Sequence, residues 1–164
     1  MITVRDIKCV LPHRYPMLLI DRVLELEPGV SLIALKAVTC NEPWYADLPE
    51  HADDQQHHYP PSLLVESWSQ AAAVLAMWDG PNPDALSGRV VVVGYISDIT
   101  FHSAVLPGDV LQHRVRLVHA LHDTIVLEGE SVIGDEVVVQ IGELILALRP
   151  AAELVGTAAI RSTS

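Results

Sequence analysis

One apolar segment limits the possible folds more than any other part of the chain. Residues 62–78 read SLLVESWSQAAAVLAMW, and Glu66 is the only charged residue among them. A proline pair precedes the segment and a glycine–proline pair follows it, which favours a helix that starts and stops at those points. Because such a helix is apolar on nearly every side, we expect the rest of the chain to bury it.

The remaining sequence is mostly strand-like. Before the helix, short segments alternate apolar and polar residues, and after it longer segments rich in Val and Ile are separated by turn residues. The predicted strands are residues 23–27, 31–40, 89–102, 109–121, 124–133 and 136–148. We therefore predict an α+β fold, in which one long central helix is wrapped by an antiparallel sheet of about five to six strands.

The domain limits follow from the same patterns. Residues 1–150 are predicted to form a single domain, and residues 151–164 a small, polar, flexible tail. Pro107–Gly108–Asp109 is interpreted as a hairpin turn between two strands. Since one helix cannot cover both faces of such a sheet, we expect a dimer that extends the sheet or packs on it.

Charge and composition disfavour several classes of function. The chain has 10 Lys and Arg against 21 Asp and Glu, a formal net charge of −11. That supply cannot form a basic patch, so we expect no binding to nucleic acid or to an anionic membrane. No apolar stretch approaches the roughly 20 residues of a membrane-spanning helix. The start MITVRDIKC lacks a signal-peptide pattern, so we expect a cytoplasmic protein.

Glu66 is the residue best placed for chemistry. Burial disfavours the charged form of a carboxylate, so a glutamate in the first turns of a buried helix suits proton donation near neutral pH. Gln70, four residues on, lies on the same helix face and could hold the carboxyl group by a hydrogen bond. The alternative is that Glu66 reaches solvent at the helix start and has no catalytic role.

Three histidines lie on the loop of about 20 residues that precedes the helix. A neutral imidazole of His51, His57 or His58 could act as a general base. Their spacing matches no zinc motif, so no metal site is assigned, and the alternative for all three is a solvated side chain. No role is assigned to the remaining histidines, which are His13, His102, His113, His119 and His122.

Four stretches of the sequence match one known pattern in order and spacing. They are LPHRYPMLLIDRVLELEPG (11–29), VTCNEPWY (38–45), SLLVESWSQAAAVLA (62–76) and VGYISDITFHSAVLPGDVL (93–111). Together they closely resemble the (3R)-hydroxyacyl-acyl-carrier-protein dehydratases of bacterial fatty-acid synthesis. The resemblance covers nearly the whole chain and implies a hot-dog fold, a dimer in which two central helices are wrapped by a continuous sheet.

The resemblance also implies a reaction. In that family a loop histidine of one subunit takes the α-proton of a 3-hydroxyacyl thioester on an acyl carrier protein. A helix glutamate of the other subunit protonates the departing hydroxyl, and a backbone N–H at the helix start binds the thioester oxygen. Glu66 and Gln70 stand on the family's helix glutamate and glutamine. The product is a trans-2-enoyl thioester, and the reaction needs no metal and no organic cofactor.

The sequence departs from the family pattern at two catalytic elements. The loop is longer than the family's, and counting from its two ends places Leu48 or Ala52 at the catalytic histidine. His51 lies between them and is the best replacement for the base, and His57 and His58 come next. Pro61 stands where the family has the glycine that supplies the N–H, and proline has no N–H.

Three interpretations follow. The first is an active dehydratase of fatty-acid or polyketide assembly, either as a homodimer or as a heterodimer in which this chain lends Glu66 to a partner subunit. The second is a non-catalytic hot-dog partner subunit, and the third is a hot-dog thioesterase. The LPHRYP and LPGD motifs favour the dehydratase. Carrier proteins are acidic and this chain is at −11. To dock one, the chain needs either a more basic partner subunit or a cluster of its own arginines near the tunnel mouth, drawn from Arg14, Arg22, Arg89, Arg114 and Arg116.

Overall fold

The computed structural model describes residues 2–84 and 87–154, and within these ranges six strands form one sheet. The helices are α1 (Val4–Val10), a short 3₁₀ helix (Pro43–Tyr45) and α2 (Pro61–Met77). The strands are β1 (Arg22–Glu27), β2 (Ser31–Ala37), β3 (Arg89–Phe101), β4 (Val110–Leu121), β5 (Thr124–Ile133) and β6 (Glu136–Pro150). The strand order is β1-β2-β4-β5-β6-β3, and every neighbouring pair is antiparallel.

The predicted α+β architecture is confirmed. The central helix starts and ends one residue earlier than the sequence predicts, and each predicted strand is present. Among the strands before α2, the bounds of β2 differ most from the prediction, because it ends at Ala37 rather than at residue 40. It ends there because Ala37 pairs with Val110, the first residue of β4, so no strand partner lies beyond it.

The interpretation of Pro107–Gly108–Asp109 as a hairpin turn is wrong. β3 pairs with β6 at one end of the sheet, whereas β4 lies between β2 and β5, so the turn joins two strands that are not neighbours. The N–H of Gly108 donates to the carbonyl of Val38 at 2.9 Å, which ties the turn to the end of β2. Turn residues predict that the chain changes direction, but they do not determine which strands pair, because pairing depends on packing elsewhere in the molecule.

Helix α2 is buried, as its sequence predicts. Ten of its 17 residues are buried, and Trp68 is fully so. The helix packs against β2, β4 and β5, and the indole N–H of Trp68 donates to the carbonyl of Arg114 on β4 at 3.2 Å. No helix of the described ranges is long and apolar enough to cross a membrane.

Strand β3 forms one edge of the sheet and exposes large apolar side chains. It pairs only with β6 among the described strands, and Val93, Tyr95 and Phe101 are about half exposed. Beyond β6, residues 151–154 are helical, and Ala151 is buried with its N–H bonded to Gly88. The rest of the expected tail, residues 155–164, lies outside the described residues.

Gly129 is where β5, β4 and the helix come closest together. A Cβ atom built on this glycine would lie 2.0 Å from the carbonyl oxygen of Arg114 and 3.1 Å from the Trp68 ring. The first of these neighbours is backbone, so it cannot move without shifting the pairing of β4 with β5. Only glycine fits at this position.

We predict that Gly129→Ala lowers the free energy of unfolding by about 2 to 3 kcal/mol, because the added methyl group overpacks a backbone contact. Urea denaturation measures the change. Gly80→Ala is the matched control, since a Cβ atom there meets nothing within 4 Å, and it should change the stability by less than about 0.5 kcal/mol. Equal stability of the two variants would contradict the close approach.

Candidate active site

Glu66 lies in the second turn of α2, at an apolar cavity of about 280 Å³. The cavity is lined mostly by apolar side chains, among them Val10, Ala73, Met77, Val90 and Leu146. The Glu66 side chain is 35% exposed. The carboxyl group is therefore only partly buried in a single chain, because the side chain stands at an opening of the cavity rather than inside the core.

Gln70 holds the Glu66 carboxyl group. Its Nε2 donates to Glu66 Oε1 at 2.8 Å, which is the hydrogen bond that the four-residue spacing predicts. The same amide joins the helix to the segment before β1. Nε2 also donates to the carbonyl of Met17 at 2.7 Å, and Oε1 accepts from the N–H of Leu19 at 2.9 Å. Gln70 is 1% exposed, so its orientation is fixed by packing as well as by these bonds.

A histidine to which the sequence assigned no role lies next to Glu66. Nε2 of His13 is 3.4 Å from Glu66 Oε1, and both side chains are about one-third exposed. Sequence reasoning missed this contact because the two residues come from distant parts of the chain, and no local spacing connects them. The one available signal was the position of His13 inside the LPHRYP motif.

The three loop histidines lie elsewhere. Among residues 2–84 and 87–154, none of them lines the cavity that contains Glu66. His51 is exposed on a turn, and His57 is half-buried with its Nδ1 at 2.8 Å from the carbonyl of Asp53. His58 lines a second cavity of about 300 Å³, which also contacts Pro61 at the start of α2 and His102.

The departures from the family pattern are visible in the structure. Leu48, one of the two positions expected for a histidine, is half-buried and packs against the core, and Ala52 is half-buried. Pro61 is the first residue of α2 and has no N–H. The N–H groups of Leu63 and Leu64 both donate to the carbonyl of Pro60, so neither is free to bind an oxygen of a substrate.

A buried ion pair fixes the beginning of the loop. Lys36 Nζ lies 2.8 Å from Glu42 Oε1, and both side chains are less than 10% exposed. The alternation of β2 places Lys36 on the same buried face as Leu32 and Ala34. This alternation is the sequence pattern from which the burial of Lys36 could have been predicted. Nearby, burial and then the charge of Glu42 raise the pKa of Tyr45 to about 12, so its phenol stays protonated.

His113 is a core residue rather than part of the site. It is fully buried on β4, and its Nδ1 lies 2.7 Å from the hydroxyl of Ser131 on β5. Burial, and to a smaller extent the charge of Lys36, lower the pKa of His113 to about 3, so its imidazole is neutral at pH 7. Within the described residues no group of three or more His, Cys, Asp or Glu side chains could hold a metal ion.

Solved structures share this architecture. The dehydratase heterocomplex ApeI:P from Xenorhabdus doucetiae matches with a TM-score of 0.74 at 18% identity, over 93% of this chain and 96% of that one. The PaaI protein of E. coli matches with a TM-score of 0.56 at 17% identity, over 76% and 80%. At such identities the likeness establishes the fold alone. The chain is a hot-dog protein with a carboxyl group on its central helix.

The sequence comparisons define the family. The model of the FabA-like domain matches residues 11–142. The chain is 38% identical over 138 residues to the 3-hydroxyacyl-[acyl-carrier-protein] dehydratase FabZ of Campylobacter hominis, covering 84% of this chain and 91% of the relative. It is 36% identical over 149 residues to the FabZ of Roseiflexus castenholzii, covering 90% and 97%. The chain belongs to the FabA-like domain family.

The lowered pKa of His113 predicts how stability depends on pH. An unfolded chain binds a proton at this histidine below about pH 6.5, whereas the folded chain does not until about pH 3. The folded state therefore loses stability as the pH falls below about 6.5, by up to about 1.4 kcal/mol per pH unit. We predict that the free energy of unfolding of His113→Gln falls less steeply between pH 7 and 5 than that of the native chain. Urea denaturation at each pH measures it.

The exposed His119 provides the control for this experiment. In His119→Gln the free energy of unfolding should fall with pH as steeply as it does in the native chain. If His113→Gln and the native chain lost stability in parallel, the neutral, buried state of His113 would be contradicted.

Proposed function

We propose that this chain is a dehydratase, or a subunit of one, that removes water from 3-hydroxyacyl thioesters on an acyl carrier protein in fatty-acid or polyketide assembly. The observation that carries the proposal is the Glu66 carboxyl group, held by Gln70 at an apolar cavity. An acid in that place can protonate a leaving hydroxyl while the acyl chain stays out of water. The names of the FabZ relatives support the same reaction. A cytoplasmic location is part of this proposal.

The reaction divides between a base and an acid. The base takes a proton from the carbon next to the thioester carbonyl, and negative charge builds up on the carbonyl oxygen. The bond from the third carbon to its hydroxyl oxygen then breaks, and Glu66 gives that oxygen a proton, so that water leaves. A trans-2-enoyl thioester remains. The base has gained one proton and Glu66 has lost one, so exchange with solvent restores both groups.

The cavity offers a place for the acyl chain. Along α2 it is lined by Glu66, Gln70, Ala73 and Met77, which lie on one face of the helix. The 11 helical steps from Glu66 to Met77 span about 16 Å at the rise of an α-helix. An extended acyl chain would follow this face, with its hydroxyl-bearing carbon beside Glu66 and its tail toward Met77.

For a chain that is active without a different partner, we propose His58 as the base among the three loop histidines. Both His58 and His51, the first choice from the sequence, are exposed, but His58 also lines a cavity with Pro61 at the helix start. The resemblance implies that acid and base come from different subunits. The base of one chain would then meet Glu66 of another, and the position of His58 beside the helix start is consistent with such a shared site.

We predict that Glu66→Gln lowers the rate of dehydration at least about 100-fold, because the amide cannot donate the acidic proton. The measurement is mass-spectrometric loss of water from a 3-hydroxyacyl carrier protein. If the chain is self-sufficient, His58→Ala has a similar effect and His51→Ala changes the rate less than threefold, about the limit of such an assay. Unchanged turnover in Glu66→Gln would rule out this carboxyl group as the acid.

The exposed edge of the sheet supports an assembly of two subunits. The β3 edge carries the half-exposed Val93 and Tyr95, and Val93 also lines the Glu66 cavity. A second subunit paired edge to edge along β3 would cover these side chains and complete the wall of the cavity. This arrangement is possible for a homodimer and for a heterodimer.

Two observations favour a heterodimer. Pro61 has no N–H at the position where the resemblance implies the oxyanion donor, and the loop departs from the family pattern at the base, while the acid is retained. Arg114 and Arg116, two of the cations that could receive a carrier protein, are already paired with Glu130 and Glu128. A partner that supplies the base, the N–H and a basic docking face would meet all these needs. The name of the ApeI:P heterocomplex shows that dehydratases of two chains exist in this fold.

The missing N–H gives a direct test. We predict that Pro61→Gly and Pro61→Ala raise the dehydration rate of the chain alone by about 10-fold or more, because an N–H aimed at the developing oxyanion is worth about 100-fold or more in other enzymes. Pro60→Ala is the control, since it removes a proline and leaves position 61 without an N–H. A rate that is the same in all three variants as in the native chain would show that this N–H does not limit turnover.

A further inference from the structure

We propose that His13 is a positioning residue for Glu66, which fixes the carboxyl group so that one of its two oxygens carries the proton to the substrate. This inference rests on the proposed function of Glu66 as the acid. It concerns a residue that the chemistry described above does not use, and it comes from the contact of 3.4 Å between His13 Nε2 and Glu66 Oε1.

Both polar neighbours of the carboxyl group meet the same oxygen. Gln70 Nε2 donates to Oε1 at 2.8 Å, and His13 Nε2 faces Oε1 as well. Among the residues that the structure describes, Oε2 has no hydrogen-bond partner. In a protonated carboxyl group the oxygen that accepts hydrogen bonds is the carbonyl oxygen, so the proton resides on the other one. The hydrogen bond from Gln70 and the contact with His13 on the Oε1 side therefore make Oε2 the proton-bearing oxygen and leave it available to a substrate.

The surroundings of His13 favour a proton on Nε2 rather than on Nδ1. Its Nδ1 is buried and has no hydrogen-bond partner within the described part of the chain. An imidazolium would place a charged N–H at that buried position without an acceptor, which is costly. With the proton on Nε2, the N–H lies on the ring nitrogen that faces Glu66 Oε1 at 3.4 Å. A small movement of either side chain would bring this pair to hydrogen-bond distance.

The backbone around His13 is anchored on both sides. The Arg14 guanidinium donates to the carbonyls of Leu11, His13 and Lys8 at 2.8, 2.7 and 3.1 Å. On the other side, Gln70 binds the backbone of residues 17 and 19. The imidazole is thus presented to Glu66 from a fixed segment. No other titratable side chain of the described residues lines this cavity, so no further charge competes for Glu66.

The test separates the donor from the rest of the imidazole. Gln can place an amide nitrogen near the position of His Nε2, whereas Leu fills similar space without a donor. We expect His13→Leu to lower kcat about 100-fold, the order of loss that misplacement of a catalytic group produces, with KM changed less than threefold. We expect His13→Gln to stay within about fivefold of the native kcat, because the donor is restored. His119→Gln, at an exposed position, is the control for a histidine substitution as such.

A double substitution shows whether His13 acts through Glu66. In the background of Glu66→Gln, the further change His13→Leu should have no additional effect on kcat, since the group it positions is already lost. Loss of activity in His13→Gln equal to that in His13→Leu would overturn the proposal, and so would independent, multiplying effects of His13→Leu and Glu66→Gln. These kinetics use whichever preparation turns over, the chain alone or the chain with a partner subunit.

A second measurement does not depend on turnover. The nitrogen NMR signals of the His13 imidazole should report a proton on Nε2, and they should shift in Glu66→Gln but not in Glu128→Gln, which changes a solvent-accessible ion pair between β4 and β5. A proton on Nδ1, or signals that ignore Glu66→Gln, would overturn the proposal. A native chain that shows no turnover with any partner would refute the proposed function, and the NMR result would still decide whether His13 holds Glu66.

Discussion

The structure depends on one side-chain amide inside a buried helix. Gln70 binds Glu66 within α2 and, with the same amide group, binds the backbone of Met17 and Leu19. A buried amide with unpaired groups would cost free energy, so these three bonds fix the segment before β1 against the helix. The segment in turn brings His13 to the cavity. Packing of the core and placement of the acid are therefore set by the same contacts.

The rest of the site follows from the burial of α2 under the sheet. A helix that is apolar on nearly every face leaves few polar groups near the cavity, and this makes the single carboxyl group distinctive. The wall of the cavity beside β3 stays open in one chain, because β3 is the sheet edge and its Val93 faces both the cavity and solvent. An acid held in place beside an unfinished wall is the physical basis for proposing a shared site between two subunits.

The sequence predicts the parts of this structure that depend on local pattern. The bounds of α2, the strands and the hydrogen bond from Gln70 to Glu66 all follow from periodicity or from a four-residue spacing. The contact of His13 with Glu66 could not be predicted, because it joins residues that are distant along the chain. The pairing of β3 with β6 was missed for the same reason. Backbone approaches such as the one at Gly129 are visible only once the strands are packed.

The central claim is that Glu66 exchanges a proton with the hydroxyl group of a 3-hydroxyacyl thioester. The most direct measurement is the reverse reaction, in which an enoyl carrier protein is incubated in water labelled with heavy oxygen and the label in the 3-hydroxyacyl product is followed by mass spectrometry. The account predicts incorporation by the native chain, alone or with a partner subunit, and none above background with Glu66→Gln. Equal incorporation by both would contradict it.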